Sequence, residues 1–274
     1  MRGSTLRAAV DALDPELDDE RIVDLTTNWL YANPLLYTLT YVLVFLRQAS
    51  IPGIAHILDR DGRGPTVRDP ASRNAATHRD FGIWFRHGYR STRGQRAIER
   101  VNAIHSHFPI TQDQYRYVLA TQIFEPARLL ALVGAGPLTR TENEARFVFW
   151  RNLGQRLGVE NIPDSSAELH AWMLDYERAN LQYTAAAARI ATALRDEWAR
   201  RRLPAPLRPF GRTTLDALVE PELGSALGLT RPNVAVRLLV HTTIRGYLTA
   251  LAEYTPPARR YTTGFDTADA AVST

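Results

Sequence analysis

The chain has 274 residues, and none of them is cysteine or lysine. Without cysteine there can be no disulfide, thiolate zinc site, cysteine-ligated iron–sulfur cluster or thiol nucleophile. Without lysine there is no Schiff-base chemistry and no amine base, and all 33 basic residues are arginine. Several familiar motifs are missing as well: no H-E-x-x-H, no G-x-S-x-G elbow and no Walker A loop. Gly134-Ala-Gly136 follows a helical pattern and runs into Pro137, so it is no dinucleotide fingerprint. The most apolar run, Leu35 to Leu46, follows Asn33-Pro34 and is closed by Arg47. It is too short to span a bilayer and reads as a buried helix. The N-terminus lacks an apolar stretch of signal-peptide length, so the expected location is cytoplasmic.

The composition is that of a globular protein, with 45% hydrophobic and 23% charged residues. The formal net charge of +4 could hint at nucleic acid, but the arginines are spread along the chain among acids. They read as solvated helix faces, and no nucleic-acid partner is expected. The pattern is helical almost throughout. Acidic residues Glu16 to Glu20 lead into an amphipathic stretch ending near Tyr31, and Pro34 opens the buried helix to about Gln48. Ile54 to Leu58 is a short helical piece after Pro52-Gly53, and Asp59 to Pro70 reads as a loop. A helix from about Ser72 to Tyr89 puts Arg73, Thr77, Phe81 and Trp84 on one face.

Ser91 or Thr92 caps the next helix, which Pro109 closes. Thr111 opens another, with Pro126 inside it and Gly134 as its stop; Thr139-x-x-Glu142 and Ser165-x-x-Glu168 are capping boxes for two more. Ala185 to Arg202 is helical, Pro204 to Pro209 is a connection, and a last helix runs from near Pro232 to about Tyr254. The sequence thus predicts one all-α domain over residues 1–274, with its core at about 16–254 and an irregular tail at 255–274.

Two stretches carry candidate chemistry. In RGQRAIERVNAIHSHF, a helix places Ala97, Ile98, Val101, Ile104 and His105 on one face, so His105 sits in an apolar stripe. Such a histidine, taken alone, is more often a satisfied core residue than a ligand. His107 points about 200° away on the same helix, so the two rings cannot share an ion. His241 is the rival ligand, sharing a face with Leu238 and Leu248. The second stretch contains Arg73 and Thr77, four apart and therefore adjacent on a helix. Arginine there could hold a propionate, and threonine could hydrogen-bond a bound oxygen species. A surface arginine beside a satisfied hydroxyl is the simpler account of the pair taken alone.

Together these pieces resemble a known superfamily, the haem-containing latex-clearing proteins (rubber oxygenases) and the mpaB-type oxygenases of fungal mycophenolic acid biosynthesis. The resemblance runs from about Asn33 to Glu177. Its carriers are NPLLYTLTYVLVFLRQASIPGIAHIL, Arg73-x3-Thr77, RVNAIHSHF, QDQYRYVLATQIFEPARLL, GPLTRTENEARFVFWRNLGQRLGV, IPDSSAEL and WMLDYE, in that order. It implies an all-α fold with a globin-related core and haem b held through His105 as axial ligand. Arg73 and Thr77 would line the opposite face, taking part in both cofactor binding and catalysis. It further implies an oxygenase that uses dioxygen on an apolar small molecule, an isoprenoid being one candidate.

One departure is Ala76, where rubber oxygenases can carry a lysine that closes the sixth iron position; with no lysine in the chain, a histidine–lysine iron is excluded. Neither the secretion signal of rubber oxygenases nor the membrane anchor of the fungal enzymes is seen, so a small intracellular lipid or terpenoid-like metabolite fits better than polymeric rubber. The alternative reading is a cofactor-free helical carrier for a hydrophobic ligand.

Overall fold

The computed structural model describes residues 3–30 and 34–253, and every regular element within them is helical. The first helix, α1 (Gly3–Asp11), buries Leu6 and Val10, four apart, against Ile22, Leu25 and Ala145. The packed region thus begins upstream of Glu16, where the sequence pattern places its start. Next, α2 (Asp19–Asp24) passes into a π-helical turn, Leu25–Leu30. The apolar run forms α3 (Pro34–Ala49), and every residue from Tyr41 to Ser50 is buried, as befits a helix that is apolar all round. After it comes α4 (Pro52–Asp59), bent 110° away from α3. No single helix among the described residues is long and apolar enough to cross a membrane; α3 and α4 pass that test only as a bent pair, as buried core helices do.

The stretch expected to be a loop contains a short helix, α5 (Pro65–Arg68), because Pro65 pre-sets the backbone angle of a first turn. Then come α6 (Pro70–His87), α7 (Thr92–His105) and α8 (Gln112–Val133), followed by α9 (Arg140–Arg156) and α10 (Ser166–Asn180). Their caps follow the sequence, except that the capping box expected at Ser165-x-x-Glu168 is only half formed. Ser91 accepts from the Gly94 N–H, Thr111 and Thr139 form full capping boxes, and Ser165 accepts from the Glu168 N–H. Gly134 ends α8 in the left-handed conformation at φ 69°.

The predicted Ala185–Arg202 helix is α11. The proline-rich connection after it is more ordered than expected, forming a 3-10 turn at Ala205–Leu207, then α12 (Arg208–Ala217) and α13 (Pro221–Ala226). Here too the prolines occupy first turns, where their missing N–H is no loss. The last helix, α14, spans Val234–Glu253. The expected tail at 255–274 lies outside the described residues.

The core has two main clusters. One packs α3 against α8 and α11, with Leu43, Leu46, Ile190 and Leu194 at its centre. The other is aromatic, built from Trp84, Tyr117, Phe149 and Trp150 with Leu153 and Met173. The candidate site opens beside this second cluster.

Candidate functional site

Two helices position the site, and a tight corner sets them against each other. At the corner Gly88 takes φ 76°, a region open to glycine and strained for other residues. Gly94, in the first turn of α7, lies so close that a Cβ on it would fall 2.1 Å from the Gly88 carbonyl oxygen. The Trp84 indole donates to the Gly94 carbonyl at 3.3 Å, and Arg100 of α7 forms an ion pair with the buried Asp80 of α6. The two helices are therefore locked face to face, which brings the Arg73/Thr77 face of α6 opposite the C-terminal turn of α7.

The apolar stripe on α7 runs from core to cavity. Ala97 and Ile98 are buried, while Val101, Ile104 and His105 line a cavity of about 400 Å³, a size ordinary for a ligand pocket. Arg73, Thr77, Phe81 and Trp84, the four residues expected on one face of α6, line this same cavity. The three predicted site residues, Arg73, Thr77 and His105, are thus brought together, with Ala76 beside them. His107 is exposed outside the helix, its Nδ1 2.8 Å from the Ala103 carbonyl oxygen.

His105 is the last residue of α7, and its ring lies 5.5 Å from that of Tyr115. Its Nδ1 is shut off from solvent with no hydrogen-bond partner. A buried polar atom without a partner is rare in folded proteins and calls for an explanation. Burial, and then the nearby Arg73 guanidinium, hold its pKa below the ordinary histidine value, so the ring is neutral near neutral pH. Neutral imidazole is the form that ligates metal.

Arg73 is held from α3: its Nη1 donates to the Tyr41 hydroxyl at 2.7 Å, and its guanidinium lies 4.1 Å from the centre of the Phe45 ring. The Thr77 hydroxyl donates to the Arg73 carbonyl at 3.3 Å, a long bond that a better acceptor could replace. The site therefore presents one neutral imidazole, a fixed guanidinium and a hydroxyl in walls that are mostly aromatic and aliphatic, with Gln48, Arg79, Asp80 and Gln122 as further polar residues. One imidazole in such surroundings suits haem, whose in-plane iron ligands come from the porphyrin. Among the described residues no three histidine, aspartate or glutamate side chains cluster as a metal site.

His241, the rival ligand, and His78 are placed elsewhere. His241 Nε2 lies 2.8 Å from the Ala217 carbonyl oxygen and does not line the cavity. Its expected face is only half right: Leu248 is buried, but Leu238 is 65% exposed. His78 packs between Tyr37 and Tyr41, with ring separations of 5.1 and 4.1 Å, and burial together with Arg201, Arg202 and Arg73 lowers its pKa to about 3.

Gln48, Tyr115, Gln122 and Trp150, which no sequence pattern singles out, also line the cavity. Trp150 sits three residues from Phe147 and from Leu153 and carries the pattern of a core residue, so nothing local sets it apart. A second, smaller cavity of about 100 Å³ lies alongside and shares Phe81, Gln122 and Trp150 with the first.

A family model described as the catalytic domain of the ER-bound oxygenase mpaB/B' and rubber oxygenase matches residues 29–252. No curated protein matches the chain.

Proposed function

The chain belongs to the mpaB/rubber oxygenase catalytic-domain family, and from that premise we propose that it is a haem b-dependent oxygenase acting on an apolar small molecule, with an isoprenoid as one candidate. The observation that carries this reading is the meeting of a neutral His105 with Arg73 and Thr77 on the wall of one largely apolar cavity. His105 would hold the iron. Arg73, fixed by Tyr41 and Phe45, would offer its guanidinium to a propionate or to the oxygen-binding side. Bound there, haem b would supply the redox chemistry through which dioxygen is used.

The chain's own part is to keep His105 neutral, to hold Arg73 in one position, to present the Thr77 hydroxyl and to exclude water. Phe81, Trp84, Val118 and Leu119 form walls that favour both a porphyrin and an apolar substrate.

The test is the visible spectrum of the purified protein with a pyridine haemochrome assay, run on the parent and on His105→Ala. The expected result is a Soret band at about one haem per chain in the parent. In the variant haem is lost while helical circular dichroism is kept. Full haem with an unchanged spectrum in His105→Ala would overturn the assignment of His105 as the iron ligand. A colourless parent that also refuses added haemin would turn the reading to a cofactor-free carrier, which the same apolar cavity supports.

A further inference from the structure

The chain between Trp198 and Leu215 carries five arginines, Arg200, Arg201, Arg202, Arg208 and Arg212, and no acid. It spans the end of α11, the 3-10 turn at Ala205–Leu207 and most of α12. Leu203 and Leu215 pack into the α3–α8–α11 core, whereas Leu207 and Phe210 between them are 46% and 67% exposed. Gly211 keeps α12 close against α11, since a Cβ there would fall 2.7 Å from the Leu203 side chain. The two exposed side chains are therefore held outside by an anchored element. Single exposed apolar residues are ordinary on a protein surface. A leucine and a phenylalanine three apart, in a segment whose charges are all positive, make a patch of definite chemistry.

The positive charge is only partly compensated. Arg201 lies 3.7 Å from Glu197 and Arg212 lies 2.5 Å from Asp196. Arg202 donates to the Thr38 hydroxyl of α3 at 3.1 Å. Among the described residues no carboxylate pairs with Arg200 or Arg208. Uncompensated arginines beside exposed apolar side chains fit an anionic lipid surface, where the apolar groups enter the acyl boundary and the cations meet the headgroups. A second copy of the chain seated on the same patch would set five arginines against five, which like-charge repulsion disfavours.

We propose that the α11–α12 turn docks the protein on an anionic lipid bilayer, with Leu207 and Phe210 inserted and Arg200, Arg201, Arg208 and Arg212 on the headgroup phosphates. This docking is peripheral and goes beyond the oxygenase reading, since it needs neither haem nor the larger cavity. Arg202 ties the patch to α3 at Thr38, and Leu36, Tyr37 and Thr40 of α3 line the smaller cavity. Docking here would bring a bilayer close to that cavity.

The test is cosedimentation of the full-length protein with vesicles of phosphatidylcholine alone and of phosphatidylcholine mixed with phosphatidylserine, at low and at high salt. The parent is expected to partition onto the anionic vesicles at low salt, roughly tenfold or more above the neutral ones. High salt should release it by screening the arginines. The double variant Leu207→Ser, Phe210→Ser is expected to bind the anionic vesicles roughly tenfold less or weaker still. The double variant Arg200→Gln, Arg208→Gln is expected to lose roughly fivefold per charge on anionic vesicles and nothing on neutral ones. Phe210→Trp, which keeps the apolar bulk, should bind as the parent does. A parent that stays in solution with anionic vesicles would overturn the proposal, as would binding that survives undiminished in either double variant. A parent dimer that Leu207→Ser, Phe210→Ser turns into a monomer would overturn it too, because a second copy would then cover the patch. Haem content does not enter the readout, so a failure of the cofactor reading leaves this result standing.

Discussion

At the scale of single residues, the site depends on groups whose ordinary behaviour is altered by burial. His105 is neutral because its environment is apolar and faces the Arg73 cation, so a ligating nitrogen is available near neutral pH. Replacing Thr77 with alanine is expected to leave haem content unchanged and to shift the visible spectrum or the turnover of the oxygen reaction. Unchanged spectra and kinetics would make Thr77 part of the scaffold. His78 offers a test of a different kind. Its folded pKa, about 3, lies below the unfolded value of about 6.5, so between these limits the unfolded chain binds the extra proton. Its contribution to stability is therefore present above pH 6.5 and is lost as pH falls toward 3. Asp216, raised to about 6 mainly by burial, acts in the opposite sense, so the comparison must be made between variants. The melting temperature of His78→Gln should fall less between pH 7 and pH 4 than that of the parent. Parallel melting curves would mean that His78 carries no such linkage.

At the scale of elements, the α6–α7 corner decides whether Arg73 and Thr77 meet His105 at all. Ser91 caps α7 through the Gly94 N–H, and removing such a cap is expected to destabilise by about 1 kcal/mol. Gly94 is the more exacting position. A Cβ there meets the Gly88 carbonyl, a backbone atom that cannot swing aside. Gly94→Ala should therefore destabilise by roughly 1–3 kcal/mol or more, and it should weaken haem retention because α7 is displaced with its terminal histidine. Chemical denaturation of Ser91→Ala and Gly94→Ala side by side checks the order. A Gly94→Ala variant as stable as the parent would show that the corner has slack. These caps were legible in the sequence because a cap is a local device, complete within four residues. The closeness of Gly94 to Gly88 was not legible, because it depends on how two helices cross.

At the scale of the whole molecule, a buried ionic cluster ties the helices around α3. Arg47, 3% exposed at the end of α3, binds Glu125 of α8 at 2.5 Å, Glu177 of α10 at 3.3 Å and Glu220, just before α13, at 2.7 Å. Arg128 adds a second guanidinium on Glu177 at 2.9 Å. In the sequence Arg47 is the polar end of an apolar run, whereas the fold encloses it. Arg47→Leu would leave buried carboxylates without their cation, which is expected to destabilise by roughly 3–5 kcal/mol. Burial already holds the Glu125 pKa above the carboxylate range, with Arg47 opposing it. Without Arg47 the folded state would hold a proton there more tightly, so the destabilisation should be smaller at pH 5 than at pH 7. An equal loss at both pH values would mean that Glu125 stays charged or finds another partner.

The sequence by itself determined the helical class, the caps, the buried character of α3, and the spacing that sets Arg73 beside Thr77 and His105 in line with Ile98 and Val101. All of these rest on contacts between residues three or four apart, and a period of 3.6 records such contacts directly. Only the tertiary structure decided the rest. It packed α1 onto α9, turned the prolines at 65, 209 and 221 into helix starts, and exposed Leu238 where a buried face was expected. It also enclosed Arg47 among three carboxylates and set Trp150 in the wall between two cavities. A cavity wall is assembled from residues far apart in the chain, and whether a buried donor finds a partner depends on what the other helices bring to it. No local pattern holds that information.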